Sequence, residues 1–259
     1  TIGSDCIDYL IADKVLILDK NKEFYSEKII YLPNTYQVND STQEISKKTF
    51  NKKELGLPEN SFVYCCFNQS YKISPSIFNV WMRILDSVDN SVIWLLSDNE
   101  ISKKNLKKEL NKKGININRI IFADRMPRPE HLARHKLADL FIDTFPYTAH
   151  TTASDALRSG LPLVTLKGQS FASRVASSLL TSIGLSELIT ENEEEYEELA
   201  IKLANNKPLL NDIRNKLNKN IITSPLFNTK VFSKNLEKSY LNIYKKFINN
   251  EKPENIEIN

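Results

Sequence analysis

The segment FIDTFPYTAHTTASDALRSG, Phe141–Gly160, decides the fold. Phe141 and Ile142 close an apolar, strand-like run, Asp143 through Ala149 make a turn containing Pro146, and His150, Thr151 and Thr152 stand where a helix running to Ser159 begins. Gly160 stops that helix, and Pro162 cannot continue it. A helix start leaves several backbone N–H groups unpaired and turns the positive end of the helix dipole outward, so an anion is its natural occupant. Thr151 and Thr152 add hydroxyl groups and His150 an imidazole. Standing alone, a Thr at a helix start is a cap and Asp155 a dipole partner. The flanking sequence gives the segment its larger meaning.

Outward from this unit, short apolar runs alternate with amphipathic stretches, the pattern of a parallel sheet wrapped by helices. Strands are predicted at 61–67, 91–96, 119–122, 139–142 and 163–166. Between them lie helices at 75–88, where Ser74 is the cap and Pro75 the first helical residue, and at 101–113, 129–136 and 151–159, with another following at 171–181. Five βα units in so short a span predict one doubly wound α/β domain. A polar Ser/Thr/Lys stretch at 41–53 reads as a linker. Glu191–Asn220 reads as two helices, and Thr229–Asn249 as one long helix with Val231, Phe232, Leu236, Tyr240, Tyr244 and Phe247 facing inward. The polar tail at 251–259 is expected to fray.

Composition narrows the function. The 259 residues are 41% hydrophobic, with 35 Lys and Arg against 32 Asp and Glu, enough for a sizeable core. A net charge of +3, spread along helices among acidic residues, gives no basis for nucleic-acid binding. No apolar run reaches the roughly 18 residues of a membrane span, and no signal peptide opens the chain. Cytoplasmic location is the expectation. Cys6, Cys65 and Cys66 are odd in number and two are adjacent, so reduced thiols are expected, the pair as buried small apolar residues. The chain begins at Thr1 inside ordinary-looking sequence and reads as a piece of a longer protein.

Ligands of open parallel sheets sit at the carboxyl ends of the strands, and here the loops after the strands are the polar ones. They carry Asn68-Gln69-Ser70-Tyr71-Lys72, the run from Ala123 to Arg134 that includes Met126, Arg128 and His131, the 143–152 turn, and Lys167-Gly168-Gln169-Ser170. Singly, Lys72, His131 and Arg134 each pass for a solvated residue or an ion-pair partner. Together on one rim they predict an anionic ligand. The chain holds neither G-x-G-x-x-G nor G-x-x-x-x-G-K-[ST], and no D-x-D pair to hold a divalent ion on a diphosphate. A diphosphate would therefore be met by N–H groups and Lys72, without metal or other cofactor.

Seven blocks now acquire a common meaning: FNQSYKISPS (67–76), NSVIWLL (90–96), RIIFADRMPRPEH (119–131), LADLFIDT (137–144), AHTTASDAL (149–157), SRVASSLLTSIGLSELI (173–189) and SPLFNTK (224–230). In this order they resemble the catalytic region of the protein O-GlcNAc transferase and SPINDLY family. The resemblance implies a GT-B glycosyltransferase, of which this chain would be the end of the first Rossmann-like domain with its linker (1–50), the complete second, nucleotide-sugar-binding domain (51–250), and the polar tail (251–259). The amino-terminal catalytic half and the helical repeat region would be missing. It further implies an inverting transfer of GlcNAc from UDP-GlcNAc to Ser or Thr of an acceptor protein, with no metal. Gln69 and Lys72 match positions touching the diphosphate, Lys72 being the catalytic candidate that stabilises the departing UDP. Met126 and Arg128 match the segment along the base, His131 a residue packing on the nucleotide, and Arg134 a neighbouring contact. His150, Thr151 and Thr152 match the phosphate-gripping helix start, and Asp155 the carboxylate that accepts from the ribose. Ala149 stands where animal enzymes carry Gly, and Tyr147 where a smaller residue lies near the sugar. Rival readings keep the same site but use GDP-fucose, as in the SPINDLY group, or transfer glucose to nitrogen, which the HTT and SPLFNTK blocks disfavour. A last alternative is a nucleotide-binding module with no activity of its own.

Overall fold

The computed structural model describes all 259 residues. Its main sheet has six parallel strands: β3 (Phe62–Cys66), β4 (Ser91–Leu96), β5 (Ile120–Ala123), β6 (Leu140–Ile142), β7 (Leu163–Leu166) and β8 (Ile189–Thr190). Their order in space is β5-β4-β3-β6-β7-β8. Counted from the first strand of this sheet, that is 3-2-1-4-5-6, so the chain reverses direction across the sheet between β3 and β6. The segments 67–72 and 143–150 leave the carboxyl ends of those two strands, which puts the polar loops on either side of the crevice that the reversal opens.

Both faces of the sheet are covered, and the strands are accordingly buried nearly throughout, as Val63, Tyr64, Cys65 and Cys66 show. Two adjacent thiols are simply wall on opposite faces of β3. Helix α1 (Pro75–Ser87) begins where Ser74 accepts from the Ile77 N–H at 3.3 Å, and it buries Ile77, Phe78, Trp81, Ile84 and Leu85. The charged α2 (Glu100–Lys112) buries only Leu110. Helices α3 (Arg128–Arg134), α4 (Thr151–Arg158) and α5 (Val175–Ser182) follow, then α6 (Glu193–Asn205) and α7 (Lys207–Thr223). Gly160 ends α4 with φ +79°, a conformation in which a side chain would be strained and a Cβ would meet Asn218 Oδ1 at 2.8 Å.

Two expectations are corrected. The tail 251–259 is ordered by pairing: β9 (Ile256–Glu257) joins β2 (Lys28–Tyr31), itself paired with β1 (Tyr9–Ala12), in a second parallel sheet of order β1-β2-β9. Ile256 and Ile258 pack with Ile30 and Leu32, and this small apolar cluster is what holds a tail that looked uniformly polar. The long helix α8 (Thr229–Ile248) forms as expected, but Tyr240, Tyr244 and Phe247 are 55%, 61% and 74% exposed. Val231, Phe232 and Leu236 are half-buried, and Ser239 is the helix's only buried residue. Phe232 and Ile243 rest on the three-stranded sheet, which is too narrow to cover the rest of the stripe. Smaller differences lie at element ends: the predicted helix at 171–181 is a 3-10 turn (Phe171–Ser173) followed by α5, and β8 was missed because two residues carry no periodicity.

Candidate nucleotide-sugar site

One cavity of about 560 Å³ opens at the reversal point, and all ten candidate residues line it: Gln69, Lys72, Met126, Arg128, His131, Arg134, His150, Thr151, Thr152 and Asp155. Phe67, Asn68, Tyr71, Leu96, Arg125 and Tyr147 complete the wall. The wall is divided in character. Phe67, Leu96, Met126 and His131 make one part flat and weakly polar, while Lys72, His150, Thr151 and Thr152 make another part rich in donors. A second hollow of about 540 Å³ under residues 36–43 shares Arg128, His150, Thr151 and Asp155 with it.

The donor-rich part is built on α4. His150 precedes the helix without capping it through its side chain. The N–H groups of Ala153 and Ser154 return to the His150 carbonyl, both at 3.1 Å, whereas those of Thr151 and Thr152 meet no protein acceptor. Two N–H groups at the positive end of the helix, both on residues that line the cavity, are therefore left without a protein acceptor. The sequence reading expected the Thr152 hydroxyl as a free donor; instead it donates to Asn68 Oδ1. What Thr152 can offer a ligand is its backbone. The imidazole of His150 is depressed below its ordinary pKa by burial and by the neighbouring Lys72, so at neutral pH it is uncharged.

Lys72 ends a 3-10 turn after β3 and donates to the Thr148 carbonyl at 2.9 Å. Its ammonium lies over the Tyr147 ring, 3.8 Å from the centroid, a cation–π contact. Burial lowers its pKa, and the nearby Asp143 opposes that fall. Asp143 is the residue that sequence reasoning passed over. Wholly buried at the end of β6, it accepts from Thr144 N–H and Ala149 N–H, both at 2.7 Å, from the Thr165 hydroxyl at 2.7 Å and from Asn68 Nδ2 at 3.2 Å. Asn68, named in the sequence only as part of a polar loop, also donates through its amide to Thr144 Oγ1 at 2.7 Å. A signal existed for both: polar residues directly following buried strands must find partners.

At the flatter part, Arg134 is not an open cation. It is 1% exposed, its guanidinium lies 4.5 Å from the Phe67 ring centroid and 5.5 Å from that of Trp94, and it donates to the Asp124 carbonyl at 2.6 Å. Its other bond goes to His131 Nδ1 at 2.6 Å. Arg134 thus reaches the cavity wall as a buried cation beside His131, its guanidinium against the Phe67 and Trp94 rings. Arg128 reaches across to Asp155 at 2.8 Å, and burial raises the Asp155 pKa against that pull. No group of three or more His, Cys, Asp or Glu side chains is arranged to hold a metal ion. No helix is long and apolar enough to cross a membrane.

With this geometry in place, the comparisons decide the family. The model of glycosyl transferase family 41 matches residues 47–236. The chain belongs to glycosyl transferase family 41. It is 37% identical, over its whole length, to a probable UDP-N-acetylglucosamine-peptide N-acetylglucosaminyltransferase SEC of Arabidopsis thaliana, covering 27% of that protein. It is 29% identical to a probable enzyme of the same description, SPINDLY of Petunia hybrida, over 98% of this chain and 27% of the relative. Among solved structures, a mutant O-GlcNAc transferase of Thermobaculum terrenum overlays with a TM-score of 0.81 at 28% identity, over 90% of this chain and 44% of the other. The α/β fold expected from the resemblance, the second Rossmann-like half of a GT-B enzyme, is the one found. This family 41 chain spans about a quarter of the curated relatives' length.

Proposed function

We propose that the cavity binds the donor UDP-GlcNAc, and that the intact protein transfers GlcNAc with inversion to Ser or Thr of an acceptor protein. The observation that carries the reading is the gathering of all ten candidate residues around one hollow at the sheet's reversal point. Lys72 and the free N–H groups of Thr151 and Thr152 are placed to meet charge that grows on the β-phosphate as the sugar leaves. Such preorganised donors act most strongly in the transition state, where the charge is greatest. Gln69 flanks the diphosphate, Met126 and His131 flank the base, and Asp155 accepts from the ribose after exchanging its Arg128 partner for the sugar hydroxyls. Arg134 acts from beside His131. The charge is carried by protein donors, so binding needs no metal.

The alternatives are separated by ligand. Calorimetric titration with UDP and with GDP, each with and without a chelator, is expected to show saturable UDP binding that the chelator leaves unchanged. Preference for GDP would favour a fucose donor, and no binding of either would overturn the reading. Relatives named for UDP-GlcNAc transfer support the UDP assignment. Because this chain spans a fraction of those relatives, we propose that alone it binds the nucleotide and transfers nothing, the acceptor-side half and the helical repeats being contributed by sequence outside it. Labelled product from these residues alone would overturn that part. A cytoplasmic setting, where Cys6 stays a thiol, belongs to the same reading.

A further inference from the structure

We propose that Asp143 is a positioning residue for Lys72: its carboxylate, clamped at the reversal point of the sheet, supplies the negative charge that keeps Lys72 protonated beside the donor's diphosphate. The inference rests on the donor-site reading above and concerns a residue outside the ten that line the cavity.

The geometry comes first. Three of the four groups that Asp143 accepts from are two backbone N–H groups and one amide NH2, which can only donate. All three bear on one oxygen, Oδ1, while Oδ2 meets only the Thr165 hydroxyl; three donors gathered on one carboxylate oxygen stabilise the ionised form. The same bonds fix the loop, because Thr144 N–H and Ala149 N–H bracket the turn that presents both the Thr148 carbonyl to Lys72 and His150 at the start of α4. Asn68 carries the clamp across to β3, whose following turn holds Lys72.

Electrostatics then explains the need. Lys72 is half-buried and keeps a single protein acceptor, the Thr148 carbonyl. Desolvation favours its neutral form, and a neutral amine could not stabilise a leaving diphosphate. The charged and titratable groups around the pair are few. Cys66 on β3 is held as a thiol by burial, the Tyr196 hydroxyl from α6 donates to the Asp143 carbonyl oxygen at 2.9 Å, His150 at α4 is held neutral by burial, and Lys72 lies over the Tyr147 ring. Asp143 is the one anion among them. With a pKa near 6 it is ionised at neutral pH.

The test is NMR titration of the whole chain without nucleotide. Lys72 is followed through its 13Cε signal, assigned by loss in Lys72→Met, and Asp143 through its 13Cγ signal. In Asp143→Asn the Lys72 midpoint is expected to fall by about one pH unit or more. An unmoved midpoint in a folded Asp143→Asn chain overturns the proposal. Should that variant not fold, Lys72→Met decides, since linkage is reciprocal and the Asp143 midpoint must rise by the same amount. An Asp143 midpoint that stays put, or a carboxyl already protonated at pH 7.5 in the unaltered chain, also overturns it. UDP added afterwards tests the other reading separately: coupled midpoints without nucleotide binding would leave Asp143 and Lys72 linked and remove the donor site.

Discussion

Arg134 donates through Nη2 to Nδ1 of His131 at 2.6 Å, both residues belonging to the cavity wall and Arg134 being almost wholly buried there. A guanidinium has no acceptor, so the His131 Nδ1 must carry the lone pair and its Nε2 the proton. His135 is the reverse case, its Nδ1 donating to the His131 carbonyl at 2.8 Å. Burial, followed by the nearby His135 and the cations Arg134, Arg128 and Arg125, presses the His131 pKa down to about 3. The expected outcome is two opposite neutral tautomers, His131 as Nε2–H and His135 as Nδ1–H, unchanged between pH 5 and 8. Long-range 15N–1H correlation of the three histidines measures this directly.

The same two residues set an acid limit on stability. Their folded pKa values, about 3 for His131 and about 4 for His135, lie below the ordinary value near 6.5. Between those limits the unfolded chain binds more protons than the folded one, so stability is full above about pH 6.5 and is lost as pH falls. Asp143, raised to about 6, has the opposite sign and offsets part of the loss between about pH 6 and 4. Thermal unfolding followed by circular dichroism should give a Tm that declines steadily from pH 6.5 to 4. A His135→Phe variant, if it packs, should flatten the decline.

Lys72→Ala should leave the fold intact, since the side chain makes one hydrogen bond and lines a cavity. In the intact enzyme it should lower turnover by roughly two orders of magnitude, the cost of about 3 kcal/mol typical for removing a preorganised donor from a developing anion. Near-normal turnover would take Lys72 out of the mechanism. In the present chain the corresponding measurement is UDP affinity.

Asp155→Ala should weaken UDP and GDP alike, because the ribose is common to both and the base is not. Loss of a hydrogen bond to a charged group is worth about 1.5–3 kcal/mol, or on the order of tenfold to a hundredfold in affinity. Calorimetry with both nucleotides checks it. A loss confined to one of them would place Asp155 near the base.

Removing residues 252–259 should uncover Ile30 and Leu32, which Ile256 and Ile258 cover. Each isoleucine contributes about 1.5–3 kcal/mol when buried. Hydrogen exchange should accelerate at Ile29, whose N–H loses its acceptor Asn255 Oδ1, and at Leu32, whose N–H bonds the Ala12 carbonyl, while β3 and β4 keep their protection. Equal acceleration in both sheets would show that the two sheets unfold as one.

Strand and helix positions from 61 to 166 were legible in the sequence because a strand buried on both faces needs an unbroken apolar run and a helix needs its caps, and both are local patterns. Lys72, His131 and His150 were legible as rim residues for the same reason: a chain that alternates strand and helix must place its strand-following loops on one edge. The family blocks added their roles. None of that local information says what a side chain meets across the fold. That Arg134 stacks on Phe67 and Trp94, that Thr152 spends its hydroxyl on Asn68, that Asp143 gathers donors from three segments, and that Ile256 pairs with Ile30 are all contacts between residues distant in sequence. The sequence alone determined the layered sheet and the edge on which its polar loops gather; tertiary structure decided which polar groups on that edge remain free, because hydrogen-bond partners are assigned by proximity in space and leave no periodic trace along the chain.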